Sequence, residues 1–302
     1  MPASEAAMVL DVGGSSLKSG LVTRGAGVEG YHETGYNSLA DSDQLHDAFM
    51  QAINRLWNFQ PGVRVTGLGV SIPGPFDYQR GISYVRGQEK FEALYAQSLP
   101  ETWRQRAPYL ARVPIEFVND AHAFALGELF QGAAVTFDRV LFVTLGTGCG
   151  SAFAQHGQLV TGGAGIPESG YIYNLPYGSE RLDDVLSSRG VASLWRAQGG
   201  QEEPVHEIAK LAREGDGRAQ ETFRSFGDHL ANALAPTLHA FRPDALILGG
   251  KISKSFDLFA DAARQKLVAL SYPPELFSAE HIDEAALLGA GQVVFSKTGD
   301  DA

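Results

Sequence analysis

Two short turns rich in glycine and hydroxyl groups carry the first chemical signal in this chain: Gly13-Gly14-Ser15-Ser16 and Gly146-Thr147-Gly148-Cys149-Gly150. Glycine leaves consecutive backbone N–H groups unobstructed, and such a nest receives phosphate oxygens. Ser15, Ser16 and Thr147 add hydroxyl donors, and Lys18 adds a point charge. Each turn taken alone also reads as an ordinary hairpin turn. Asp11 precedes the first turn, where a carboxylate can hold Mg²⁺ through water or simply initiate the turn. Asn119-Asp120 stands between an apolar run and a helical pattern. Asp120 there reads either as a helix N-cap or as a general base that takes a proton from a hydroxyl. Asn119 would exchange hydrogen bonds with neighbouring hydroxyls. Glu168 lies close to Tyr171 and Tyr173, an arrangement suited to gripping a polyol, or is a solvated loop carboxylate.

The elements that must position these groups follow from apolar periodicity. Met8 to Val12 and Leu17 to Val22 read as strands around the first turn. Leu45, Phe49, Ala52, Ile53 and Leu56 recur at helical spacing, with Ser42 or Asp43 as the expected N-cap. Leu68 to Ile72 and Val113 to Val118 read as strands, and a helix follows Asp120. Val140 to Leu145, Ser151 to Ala154 and Gln158 to Val160 form a second meander. Thr161 to Gly178, with its glycines and aromatics, reads as a structured loop. Phe223 to Phe241 is a long amphipathic helix that Pro236 would kink. Ala245 to Leu248 is a strand stopped by Gly249-Gly250, and Phe256 to Leu270 and Ala285 to Phe295 are helices. The tail from Lys297 to Ala302 is polar and expected to fray. Aligning Gly13 with Gly146 sets Val9 to Val22 beside Phe142 to Gln155, each an apolar strand, a glycine turn and a second strand. A duplicated hairpin in 302 residues predicts two similar domains.

Composition narrows the function classes. The chain is 44% hydrophobic and 20% charged, enough apolar content for a sizeable core. Its formal charge of −11 opposes nucleic acid and anionic membranes, while leaving a small anion free to bind on backbone amides. No apolar run reaches the roughly 18 residues of a membrane span, and no secretory leader is read at the N-terminus. The single cysteine, Cys149, excludes an intrachain disulfide and a cysteine-based zinc site, so a cytoplasmic chain is expected. His122, His156, His206 and His229 show no metal-ligand spacing. Neither glycine turn has the P-loop or dinucleotide-fold spacing.

Taken in order, several stretches resemble one family, the ROK sugar kinases and repressors of the actin-like ATPase superfold. Leu10-Asp11-Val12-Gly13-Gly14-Ser15-Ser16-Leu17-Lys18 is similar to the family's first phosphate motif. Gly69-Val70-Ser71-Ile72-Pro73-Gly74-Pro75 is similar to its Pro-Gly-Pro segment, and Val118-Asn119-Asp120-Ala121 to its Asn-Asp-Ala motif. Leu145 to Gly150 resembles the second phosphate motif, and Ser188-Arg189-Gly190 and Leu248-Gly249-Gly250 fit later landmarks. The resemblance runs from about Val9 to Gly291. It implies an α/β chain of two ribonuclease-H-like domains with an inter-domain cleft. The domains are expected at 1–118, completed by a C-terminal helix at about 283–297, and at 119–282. It further implies ATP and Mg²⁺ as cofactors, a sugar as acceptor, Asp120 as the base, Gly249 and Gly250 near the adenosine, and a homodimer.

The departures from the family pattern concern the sugar side. The family's Glu-x-Gly-His run is matched by Glu168-Ser169-Gly170-Tyr171, so Tyr171 replaces a histidine that binds sugar and often zinc. The cysteine-rich zinc loop is matched by Tyr177 to Asp183, which has no thiolate, so no zinc is expected. Asp183 then aligns near the family's sugar-binding glutamate. Gly87-Gln88-Glu89-Lys90-Phe91 occupies the place of a sugar loop that often contains asparagine. Only eight residues precede Val9, which argues against the DNA-binding repressor branch. The readings carried forward are an ATP-dependent hexose kinase, a non-catalytic sugar or nucleotide sensor, and a polyphosphate-dependent glucokinase. The last ranks below ATP, because Lys18 is the one basic group near the turns in sequence.

Overall fold

The computed structural model describes residues 5–59, 63–87 and 90–298. Gln88 and Glu89 of the expected sugar loop, and residues 299–302 of the tail, therefore lie outside the described residues. In chain order the elements are β1 (Glu5–Val12), β2 (Ser16–Thr23), β3 (Val28–Gly35), α1 (Ser42–Phe59), β4 (Arg64–Ile72), the ribbon β5 (Phe76–Asp77) and β6 (Ile82–Ser83), α2 (Leu99–Arg106), β7 (Ile115–Asn119) and α3 (Asp120–Gln131). The chain continues with β8 (Arg139–Leu145), β9 (Cys149–Gln155), β10 (Gln158–Val160), the ribbon β11 (Pro176–Tyr177) and β12 (Glu180–Arg181), and helices α4 (Leu182–Val185), α5 (Ser188–Ala197), α6 (Val205–Arg213) and α7 (Gly217–Phe241). It closes with β13 (Ala245–Gly249), α8 (Phe256–Leu267), β14 (Glu275–Ser278) and α9 (Ala285–Thr298).

Two five-stranded sheets repeat one topology: β3-β2-β1-β4-β7 and β10-β9-β8-β13-β14. In each, an antiparallel meander comes first, and two further strands add in parallel to its first strand. The two glycine turns close the equivalent hairpins, at Val12↔Leu17 and at Leu145↔Cys149. This repeat is the expected pair of ribonuclease-H-like domains.

The chain divides into two compact units, one reaching Phe130 and joined by the segment from Glu284, the other Gln131–Asp283. The first unit runs past the expected boundary at residue 118 because α3 packs closely on α9: a Cβ on Gly127 would lie 2.0 Å from the Ala285 carbonyl oxygen. Strand alternation sorts β1 by face. Met8, Leu10 and Val12 join Leu45, Phe49 and Ile53 of α1, while Ala7 and Val9 join Leu287, Leu288 and Val294 of α9. Asp11 continues the second row to the strand's end. In the second unit, Leu141, Val143 and Phe153 pack on Phe223, Phe226, Leu230 and Phe241 of α7.

Several local expectations change. The N-cap of α1 is Asp41, whose Oδ1 accepts from Gln44 N–H at 2.9 Å. Ser42 instead donates to Gln97 at 2.8 Å, and Asp43 pairs with Arg106. Strand β7 begins at Ile115, because a 3-10 turn over Pro108–Arg112 ends at Val113. Helix α7 continues through Pro236, and α8 stops at Leu267. Among the described residues, no helix is long and apolar enough to cross a membrane.

Candidate active site

In the first unit, the site residues gather at the carboxyl ends of parallel strands β1, β4 and β7, where open α/β sheets place their ligands. Gly13 N–H donates to the Ser16 carbonyl at 3.0 Å, and the Tyr36 hydroxyl donates to the Gly13 carbonyl. The turn is thereby fixed from both sides, with Gly14 and Ser15 exposed at its tip. Lys18 stands opposite Asp11 on β1 and opposite Glu33 on β3. A second cation, missed in the sequence, approaches the tip: Lys90 Cδ lies 3.9 Å from where a Gly14 Cβ would sit.

Asp11 is the register partner of Ser71, whose hydroxyl donates to Asp11 Oδ1 at 2.8 Å. Desolvation raises the Asp11 pKa above its ordinary value; Lys18 and the Ser71 hydrogen bond oppose this, and the Asp120 charge adds to it. A partly buried carboxylate of this kind fits a cation brought in with its waters, since Mg²⁺ takes one or two carboxylates plus water and phosphate oxygens. Among the described residues no group of three or more His, Cys, Asp or Glu is arranged to hold a metal by protein ligands alone.

The two readings of Asp120 separate here. Asn119, buried at the end of β7, is the N-cap of α3: its Oδ1 accepts from Ala121 N–H at 3.1 Å and His122 N–H at 3.2 Å. Asp120 is the first helical residue, and its Oδ1 accepts from the adjacent Ala121 N–H at 2.9 Å. The capping role thus falls to Asn119, and Asp120 keeps a partly exposed carboxylate at a helix N-terminus, where negative charge is favoured. Burial lowers the pKa of His122, with Asp120 opposing that shift. Asn119 Nδ2 donates to the Tyr78 hydroxyl at 3.1 Å, and that hydroxyl donates to the Ile72 carbonyl at 3.3 Å. A Cβ on Gly74 would lie 3.1 Å from the same hydroxyl. Tyr78 therefore joins Gly74 to Asn119, a role that nothing in its sequence context signals.

In the second unit, Gly146 N–H donates to the Gly148 carbonyl at 3.0 Å, leaving Thr147 exposed at the tip. The start of α5 embraces this turn. Ser188 N–H donates to the Gly146 carbonyl at 2.8 Å, and Arg189 Nη1 donates to the Thr147 carbonyl at 2.9 Å. Asp183, expected beside the sugar, directs its carboxylate to the turn instead: Oδ1 accepts from Cys149 N–H at 2.7 Å and Oδ2 from Arg189 at 2.6 Å. Gly250 (φ +82°) lies against the same turn, and a Cβ there would meet the Leu145 carbonyl oxygen at 2.4 Å. The Gly249 carbonyl accepts from the Ser253 hydroxyl at 2.6 Å. Burial, with the Asp183 charge, raises the pKa of the buried Cys149 thiol.

The aromatic loop is folded by Ser151. Its buried hydroxyl donates to the Gly170 carbonyl at 2.8 Å and accepts from Ile172 N–H at 3.0 Å. Glu168 is exposed in a 3-10 turn, and the Tyr171 and Tyr173 rings lie 6.1 Å apart. The Asp183 amide, rather than its carboxylate, reaches this loop, donating to the Tyr173 carbonyl at 3.0 Å.

The sequence model of the ROK family matches residues 7–297. The glucokinase of Thermotoga maritima is 26% identical over 317 aligned positions, covering 96% of this chain and 97% of that protein. The N-acetyl-D-glucosamine kinase of Escherichia fergusonii is 27% identical, covering 93% and 96%. A ROK family glucokinase from Streptomyces griseus, solved with glucose and AMPPNP, is similar in fold with a TM-score of 0.79 at 21% identity, covering 96% of this chain and 99% of that one. With a match over nearly its whole length and the family's repeated sheet, this chain belongs to the ROK family.

Proposed function

We propose that the chain is a sugar kinase that moves the terminal phosphoryl group of ATP to a hydroxyl of a hexose or hexose-like sugar. The observation that carries this reading is the division of labour at the start of α3, where Asn119 caps the helix and leaves the Asp120 carboxylate for chemistry. Asp120 takes the proton of the sugar hydroxyl. The oxygen forms a bond to the terminal phosphorus, and the bond from that phosphorus to the bridging oxygen breaks, releasing ADP. Such a transfer needs mainly positioning and neutralised charge.

Gly13, Gly14, Ser15, Ser16 and Lys18 receive phosphate oxygens, as do Gly146, Thr147 and Gly148, with Gly249 and Gly250 toward the adenosine. Asn119, Gly74, Glu168 and Tyr171 face the sugar. Tyr171, in place of histidine, offers one hydroxyl and an aromatic face. Mg²⁺, when bound, neutralises phosphate charge, and Asp11 holds it through water. The kinases of Thermotoga maritima and Escherichia fergusonii support a sugar as acceptor, and the glucose and AMPPNP of the Streptomyces griseus protein support this ligand pair. A cytoplasmic homodimer completes the reading, on the family resemblance.

Lys90 beside Gly14 favours a second reading of the donor, in which polyphosphate serves in place of ATP. One experiment tests both: purified protein with Mg²⁺ is given hexoses, amino sugars and polyols, with ATP and polyphosphate in parallel, and sugar phosphates are detected by mass spectrometry. A sugar phosphate formed with ATP supports the kinase, and one formed with polyphosphate alone shifts the donor. No sugar phosphate with either donor removes the catalytic reading and leaves a binding protein.

A further inference from the structure

We propose that Asp183 and Arg189 form a clamp that positions the second glycine turn for the phosphoryl donor, so that Asp183 serves the donor rather than the sugar. The proposal rests on the reading that this turn receives the donor's phosphates. Four contacts define the clamp. Asp183 Oδ1 accepts from Cys149 N–H at 2.7 Å, and Asp183 Oδ2 accepts from Arg189 Nη2 at 2.6 Å. Arg189 Nη1 donates to the Thr147 carbonyl at 2.9 Å, and Nη2 also reaches the Asp183 carbonyl at 3.0 Å. Both carboxylate oxygens are thus engaged on the turn and on the guanidinium that holds it.

The choice of residues follows from charge and space. A bare carboxylate beside an anion-receiving turn repels the ligand, and the Arg189 guanidinium cancels that charge. Aspartate fits against Gly148, where even a Cβ would approach Asp183 Oδ1 to 2.8 Å. The carboxylate fixes the Cys149 amide and the guanidinium holds the Thr147 carbonyl, so the backbone between them is held in one shape before the ligand arrives. The pair is half open to water, with side-chain exposures of 25% for Asp183 and 51% for Arg189. An ion pair so placed adds little to global stability. Its effect is local to the turn. The Asp183 amide, bonded to the Tyr173 carbonyl at 3.0 Å, ties the loop of Glu168 and Tyr171 to the same clamp.

The test separates donor from sugar. Binding of ADP by wild type, Asp183→Ala and Arg189→Ala is measured by calorimetry, and the Michaelis constant for the sugar is measured beside it. Asp183→Ala is expected to weaken ADP about tenfold, the loss of roughly one charge-assisted hydrogen bond, with the sugar constant within about twofold of wild type. Arg189→Ala leaves Asp183 charged and uncompensated, so it weakens ADP at least as much. Asp183→Asn combined with Arg189→Ala removes that charge and keeps an acceptor for Cys149 N–H, and is expected to recover part of the affinity. A raised sugar constant with unchanged ADP binding overturns the proposal in favour of a sugar contact. Equal ADP binding by all variants overturns it as well. A wild type that binds no nucleotide overturns the reading of the turn, and this proposal with it.

Discussion

Replacing Gly127 by alanine sets two effects of known size against each other. Gly127 lies within α3, and alanine in a helix interior is favoured over glycine by about 1 kcal/mol. Space opposes this. The new Cβ would lie 2.0 Å from the Ala285 carbonyl oxygen and 2.8 Å from its Cα, both backbone atoms of the crossing helix α9. The crossing is reciprocal, since a Cβ on Gly289 would lie 1.8 Å from the Ala123 carbonyl oxygen. Ordinary contact starts near 3.4 Å, so the helices must separate by about 1.4 Å at Gly127. Overpacking of this kind costs roughly 1–3 kcal/mol, and a rigid backbone on both sides puts it at the upper end. The expected net is a loss of about 1–2 kcal/mol in urea unfolding. Gly217→Ala, where a Cβ meets nothing within 4 Å, is the control and is expected to be neutral or slightly stabilising. Asp120 rides on the first turn of α3, and a misplacement of about 1 Å costs on the order of a hundredfold in rate. Turnover in Gly127→Ala should fall by ten- to a hundredfold on that scale. A Gly127→Ala protein that is more stable than wild type and fully active would refute the crossing argument.

Two further outcomes follow from the first unit. Asp11→Asn is expected to stabilise the unliganded protein near neutral pH. Its carboxyl is raised above 3.8 in the fold, so ionised Asp11 costs stability as pH rises through that raised value, and the amide removes the cost. The gap between variant and wild type should close as pH falls toward 3.8, and urea midpoints across pH check the sign; a gap that widens on acidification contradicts it. Asn119→Ala should cost about 1 kcal/mol through the lost cap, whereas Asn119→Asp retains most of it; equal midpoints for all three proteins would return the cap to Asp120.

Much of this site was legible in the sequence because its parts are backbone features with strong local signatures. The glycine turns, the parallel strands that end beside them and the Asn119-Asp120 junction all announce themselves through glycine, apolar runs and a polar stop. The division between Asn119 and Asp120 was not legible, since both residues cap helices well and only the observed bonds assign the role. The bonds of Asp183 were hidden for a different reason. Its alignment with a sugar-binding glutamate describes sequence position, while its actual partners, Cys149 and Arg189, depend on how α4 and α5 fold back on the turn. Lys90 and Tyr78 are distant in sequence from Gly14 and Asn119. Strand β3 escaped notice because its residues are largely exposed and polar, which erases the alternation that marks a half-buried strand. Helices α5 and α6 are short, and the apolar stripe of each spans few turns.

The central claim is that Asp120 is the base of a phosphoryl transfer to sugar. The most direct measurement is the turnover of Asp120→Asn against wild type on an accepted sugar, with ADP affinity determined on the same two proteins. Loss of one general base is expected to lower turnover by about 10²–10⁴-fold, while ADP affinity stays within about twofold because the glycine turns are untouched. An Asp120→Asn protein that phosphorylates sugar at the wild-type rate would contradict the account.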